Sequence, residues 1–183
     1  MPPSLVRDPL CTIFALLKFF LLKLNMPNFN IASKMTLSFS CILKSLPHYE
    51  TTPVAEKRAI LNMSIKDVKS FRKEFQKIFL KEWKERRLSL FEKYHFESYK
   101  AFCYVGVEST EVTSDFSQKQ EGGFKIVFYN VEDEAVAFIW MRQSGTEPVF
   151  RLMADLKRGS EEDEKALVHW QTHLIETAKL GLL

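Results

Sequence analysis

Ala135-Val136-Ala137-Phe138-Ile139-Trp140-Met141 is followed by Arg142-Gln143-Ser144-Gly145-Thr146-Glu147-Pro148, and then by Val149-Phe150-Arg151-Leu152-Met153-Ala154. The two outer runs are apolar, β-branched or aromatic and bounded by turn chemistry, so they read as strands. The middle is then their connection. It is rich in hydroxyls, holds one glycine, and has an arginine at or beyond each end. A phosphate group needs such a set. Gly145 allows a close backbone approach and a positive φ. Successive N–H groups form an anion-binding concavity. Ser144 and Thr146 add hydroxyl donors, and Arg142 and Arg151 each offer a planar fork to two oxygens. Glu147 should not face a dianion, and its expected part is to hold an arginine in place. The competing reading is an ordinary polar hairpin loop.

Working outward, Tyr99–Val105 and Phe124–Tyr129 read as two further strands. Gly122-Gly123 marks a turn before the second of them, and residues 131–134 turn it into the next strand. Ser109–Gln120 is polar and reads as a long loop or a poorly formed strand. Four antiparallel strands with short connections thus fill residues 99–156. A helix precedes them. Ser64-Ile65-Lys66-Asp67 fits a capping box, and Val68, Phe71, Phe75, Ile78, Phe79, Trp83, Leu90, Phe91 and Tyr94 fall mostly at helical spacing. A break near Arg86–Ser89 would give two helices instead. A second helix follows the strands from Ser160, with a capping box through Asp163. Its apolar stripe is Leu167, Trp170, Leu174 and Ala178. Helix, strands, helix is the order of an α+β two-layer domain, an antiparallel sheet of about four strands flanked by helices.

The first helix carries ten Lys or Arg and five Asp or Glu between Lys66 and Tyr94. That composition suits a basic amphipathic helix for a membrane surface or a helix-binding partner. It equally suits an apolar face on the core with a solvated charged face, which is the reading preferred. His169 and His173, at i and i+4, have metal-ligand spacing but no evident third ligand, so no metal site is assigned.

The chain has 183 residues, 46% of them hydrophobic, with a net charge of +3. Such a composition supports a packed core. The charge is too mild to imply nucleic acid. Cys11, Cys41 and Cys103 are odd in number and far apart, so neither a zinc knuckle nor a disulfide framework is suggested, and a cytoplasmic setting is expected. Residues 9–24 are apolar almost all round. Lys18 and Lys23 interrupt the run, which is short for a membrane span, and no small-residue cleavage site follows. A helix buried in a protein core is preferred to a signal or membrane anchor. The expected organisation is an N-terminal helical segment over 1–48, a linker over 49–63 and the two-layer domain over 64–183.

The pattern R-x-S-G-T-E-P-x-x-R between two apolar strands resembles the C-terminal phosphate-binding loop of the α-D-phosphohexomutase family, the phosphoglucomutases and phosphomannomutases. In that family the loop grips the phosphate of the sugar that is not reacting. The resemblance implies that Arg142, Ser144, Gly145, Thr146 and Arg151 bind a hexose 1- or 6-phosphate. It also implies a TATA-box-binding-protein-like fold for the domain, a remnant of the preceding domain in residues 1–48, and a short helix at residues 37–46 ahead of the linker. The family often has proline where this chain has Gln143, a change expected to alter loop stiffness more than phosphate chemistry.

The family's isomerase activity also needs a phosphoserine loop, an aspartate-rich Mg²⁺ loop and a sugar-binding loop. None of these motifs occurs in this sequence, whose first glycine is Gly106. The resemblance therefore implies a fragment or truncated relative, with no cofactor of its own, inactive alone, and dependent on missing mutase domains or a partner chain. The alternative is a non-catalytic interaction module that uses the apolar N-terminal helix and the basic helix.

Overall fold

The computed structural model describes residues 48–182, together with Phe14, Leu17 and Lys18. The chain divides into two compact units, 1–47 and 48–183, and the second carries the fold. The expected helix at 37–46 lies outside the described residues, as does most of the apolar run at 9–24. Phe14, Leu17 and Lys18 are helical and exposed, where the sequence reading expects burial.

The second unit is α+β: a seven-stranded antiparallel sheet with two helices packed against it. In chain order the elements are β1 (Tyr49–Thr51), β2 (Ile60–Leu61), α1 (Val68–Tyr94), β3 (Ser98–Val105), β4 (Glu108–Glu111), β5 (Gly123–Tyr129), β6 (Ala135–Gln143), β7 (Phe150–Lys157) and α2 (Glu161–Leu180). The sheet order is β1-β7-β6-β5-β3-β4, with β2 also pairing to β7. The four expected strands are its centre; β5, β6 and β7 follow one another through short connections, whereas residues 106–122, which include β4, separate β3 from β5. The strand count differs from the expected four because three short edge strands were not visible as periodic runs. Two of them, β1 and β2, come from the stretch expected as a linker. Thr51 pairs with Asp155 and Ile60 with Arg151, so residues 49–61 close one edge of the sheet.

Period-two alternation decides which face each strand buries. On β6, Ala137, Ile139 and Met141 are buried. On β7, Phe150, Leu152, Ala154 and Leu156 are buried. These positions meet the helices. From α1, Phe71 packs edge-on to Phe150 at 5.7 Å, Phe75 edge-on to Phe124 at 6.0 Å, and Trp83 stacks on Phe128 at 5.8 Å. From α2, Trp170 reaches Phe79 and Phe128. The i, i+4, i+8 spacing of Phe71, Phe75 and Phe79 puts three fully buried rings on one stripe. Truncating a buried ring of this kind typically costs about 3–5 kcal/mol.

Both helices begin on cap residues, one of them not the expected one. Ser160 caps α2 through a reciprocal capping box with Asp163, as its sequence indicates. The cap of α1 is Asp67 rather than Ser64: its carboxylate accepts the Ser70 N–H at 3.0 Å. The helix does not start at Ser64: Ile65 is buried and its N–H donates to the Gln143 side chain at 2.9 Å, which holds this stretch against the β6–β7 hairpin. α1 runs unbroken through Arg86–Ser89. Among the described residues no helix is long and apolar enough to cross a membrane.

Candidate functional site

The hairpin connecting β6 and β7 is built from its base upward. Arg142 and Gln143 pair across the strands with Arg151 and Phe150. The Ser144 N–H donates to the Val149 carbonyl at 2.8 Å and closes the loop. Inside it, the Thr146 N–H points at the Ser144 hydroxyl at 3.4 Å, and the two hydroxyl oxygens are 3.5 Å apart. Gly145, Thr146, Glu147 and Pro148 are exposed. Glu147 does hold an arginine: its carboxylate accepts from the Arg151 guanidinium at 3.4 Å. Gly145 departs from expectation, since its φ lies outside the positive region that Gly106 and Gly122 occupy. A Cβ placed on it would meet nothing within 4 Å. Its value in this geometry is an unobstructed backbone rather than a left-handed turn.

Arg142 and Arg151 are Cα partners, so their side chains share a face of the sheet. Both are exposed, and both fall out of phase with the buried residues of their strands. Both therefore alternate with the helix-facing positions of their strands. A cleft of about 290 Å³ is lined by Arg142, Ser144 and Gly145 of the hairpin together with Arg72 of α1, Gln120 and Gly122. Thr146 and Arg151 do not line it. Of the five residues expected to bind phosphate, the structure gathers three on the cleft and leaves two on the outer rim of the hairpin.

Gly122 is required where it stands. Its φ is +74°, and a Cβ there would come within 1.9 Å of the Tyr104 carbonyl oxygen. Only glycine allows this approach, and it brings Gln120 and the start of β5 up to the cleft.

Two contributors were not picked out from the sequence. Gln143, which departs from the family's usual proline, uses its amide oxygen to bind the Ile65 N–H, tying the base of the loop to the segment that enters α1. Arg72 is the second. It is 4% exposed. Its Nη1 donates to the Cys103 sulfur at 2.9 Å, and its guanidinium carbon lies 4.6 Å from the centre of the Phe124 ring. Burial lowers its pKa, with the Cys103 sulfur opposing the shift. The signal was present in the sequence. Arg72 follows Val68 by four residues and precedes Phe75 by three, so it sits on the apolar stripe and not on the solvated face.

His169 and His173 are exposed, and among the described residues no group of three His, Cys, Asp or Glu is placed to hold a metal ion. Comparison with protein-family models, with curated proteins and with solved structures finds no match to this chain.

Proposed function

We propose that residues 48–182 are the substrate-phosphate-binding region of a cytoplasmic phosphohexomutase of the phosphoglucomutase or phosphomannomutase type, with the TATA-box-binding-protein-like arrangement of that family's last domain. One observation carries the reading. The R-x-S-G-T-E-P-x-x-R segment is a closed hairpin whose Arg142, Ser144 and Gly145 stand on a cleft large enough for a phosphate group and part of a sugar. The hydroxyl and open backbone there suit a phosphate oxygen, and the guanidinium neutralises charge. The helix–strand–helix order supports the same assignment.

Phosphoryl transfer depends on positioning and on neutralising charge around the moving group. This chain supplies a share of the positioning. The phosphoserine, the Mg²⁺ ligands and the sugar-specific loop would come from other domains or a partner chain. On this reading the chain alone binds a hexose phosphate weakly and does not turn it over.

Titration of the full chain with glucose 1-phosphate, followed by backbone amide NMR, tests the assignment. Shifts centred on residues 142–151 and lost in Arg142→Ala are expected. An unchanged spectrum at millimolar ligand would count against a phosphate site. Conversion between hexose 1- and 6-phosphates by the pure chain would contradict the division of labour.

A further inference from the structure

Arg72 is a buried cation without a carboxylate. Among the described residues it forms no ion pair, and its polar partner is a thiol sulfur, a weak acceptor. A guanidinium withdrawn from water is costly unless its N–H groups and its charge are matched. One edge of the fork is used on Cys103 and one face lies on Phe124. Arg72 lines the cleft together with Ser144 and Gly145. A residue that is 4% exposed yet lines a cleft presents its donors to whatever enters, and little else.

From this geometry we infer that Arg72 is an anion-binding residue of the cleft, and that the group it takes is a phosphate monoester held between α1 and the 144–145 backbone. The inference rests on the phosphate reading above and extends it to a residue on another element. A phosphate offers several acceptor oxygens, so Arg72 can bind some of them while the Ser144 hydroxyl and the Gly145 N–H bind others. Arg142, exposed at the rim, then adds charge from outside. The division also accounts for Gln143: its bond to Ile65 fixes the loop relative to the start of α1, which sets the gap between the two walls. Cys103, by holding one side of the guanidinium, keeps the fork aimed outward.

The test is isothermal titration of the full chain with inorganic phosphate and with glucose 1-phosphate, on the parent protein and on Arg72→Met, Arg72→Lys and Arg142→Ala. The Arg72 Nε–H resonance is followed in parallel. Arg72→Met should bind both ligands roughly ten- to a hundredfold more weakly, the worth of one charge-assisted hydrogen bond. Arg72→Lys should recover part of the loss, because charge is kept while the fork is not. The Arg72 Nε–H signal should move on titration of the parent protein. Equal affinities for parent and Arg72→Met, with loss in Arg142→Ala, would overturn the role of Arg72 and leave the loop assignment standing. Loss in Arg72→Met with none in Arg142→Ala would support Arg72 and overturn the part given to the Arg142 guanidinium. A parent protein that binds neither ligand would overturn both. Should Arg72→Met fail to fold, Arg72→Lys and the Nε–H signal decide the matter without it.

Discussion

Arg58 and Arg72 both lie largely out of solvent, and their surroundings differ in kind. Arg58, in the single helical turn at Lys57–Ala59, points Nη2 at the Glu164 carboxylate at 2.9 Å and Nη1 at Glu56. The Glu164 side chain is completely buried and also accepts from the Thr52 hydroxyl. Charge meets charge, and both oxygens of the Glu164 carboxylate have a donor. Arg72 has a sulfur and a ring instead. The first arrangement is closed: it fastens the segment between β1 and β2 to the start of α2. The second is open on the side that faces the cleft. On the proposed reading the two arginines meet different demands, one for cohesion and one for a ligand.

The largest expected effect belongs to the closed site. Glu164→Ala leaves Arg58 with Glu56 alone and takes an acceptor from the buried Thr52 hydroxyl, and removing one partner of a buried pair costs up to about 3–5 kcal/mol. Urea unfolding should report that loss as a lower midpoint with little change in slope. The paired change Arg58→Met with Glu164→Leu removes both charges and fills the space, so it should cost much less than Glu164→Ala alone. Equal losses in the single and double variants would show that packing of the β1–β2 segment, and not charge pairing, fastens this edge.

Much of this architecture was legible in the chain, and the exceptions have physical reasons. Alternating burial in β6 and β7 and the stripe Phe71-Phe75-Phe79 are long enough to carry a period, so the central strands and both helices could be read. β1 and β2 are too short to show one. They exist because β7 presents an open edge to them, which is a tertiary cause. Ser64 and Asp67 are both competent caps, and local pattern cannot choose between them. The choice is made by Ile65, whose burial and bond to Gln143 hold the stretch after Ser64 out of the helix. At the candidate site the loop declared itself by composition. Arg72 did not, because composition hides one arginine on a helix rich in lysine and arginine; only its place on the Val68–Phe75 stripe sets it apart. The expectation of a left-handed Gly145 failed for a related reason: the closing bond from Ser144 to Val149 is satisfied without it.

A middle-sized effect is expected where α2 begins, a surface counterpart to the buried Glu164 one residue on. Asp163 accepts from the Ser160 hydroxyl at 2.7 Å and from Lys93 at 2.9 Å. These contacts, the hydroxyl first, hold its carboxyl below the ordinary value of 3.8. Folding therefore favours the ionised form. Its contribution is complete above that ordinary value and is lost as pH falls through the lower folded-state value. Asp163→Ala should cost about 1 kcal/mol at neutral pH, the worth of a helix cap. The gap between parent and variant should narrow in acid, as thermal melts across pH 2–5 would show, to about the width set by linkage. A gap that stays constant would mean that the cap acts through shape and not through charge.

The smallest expected effect is the most informative. Arg72→Met keeps the length of the stem, removes the charge and leaves an adaptable apolar side chain against Phe71 and Phe124. In a site that served cohesion this would be damaging, as at Glu164. In a site held open for a ligand, the charge already costs stability in the free protein, because desolvation of the guanidinium is matched by a thiol and a ring alone. Those weak contacts and the desolvation cost then nearly cancel. The unliganded variant should melt within about 1 kcal/mol of the parent, on either side. Phosphate should then raise the melting temperature of the parent by more than that of the variant, since a ligand that binds only the folded state stabilises in proportion to its affinity. A loss near that of Glu164→Ala, with no difference in response to phosphate, would erase the distinction between the two arginines and make Arg72 a second structural lock.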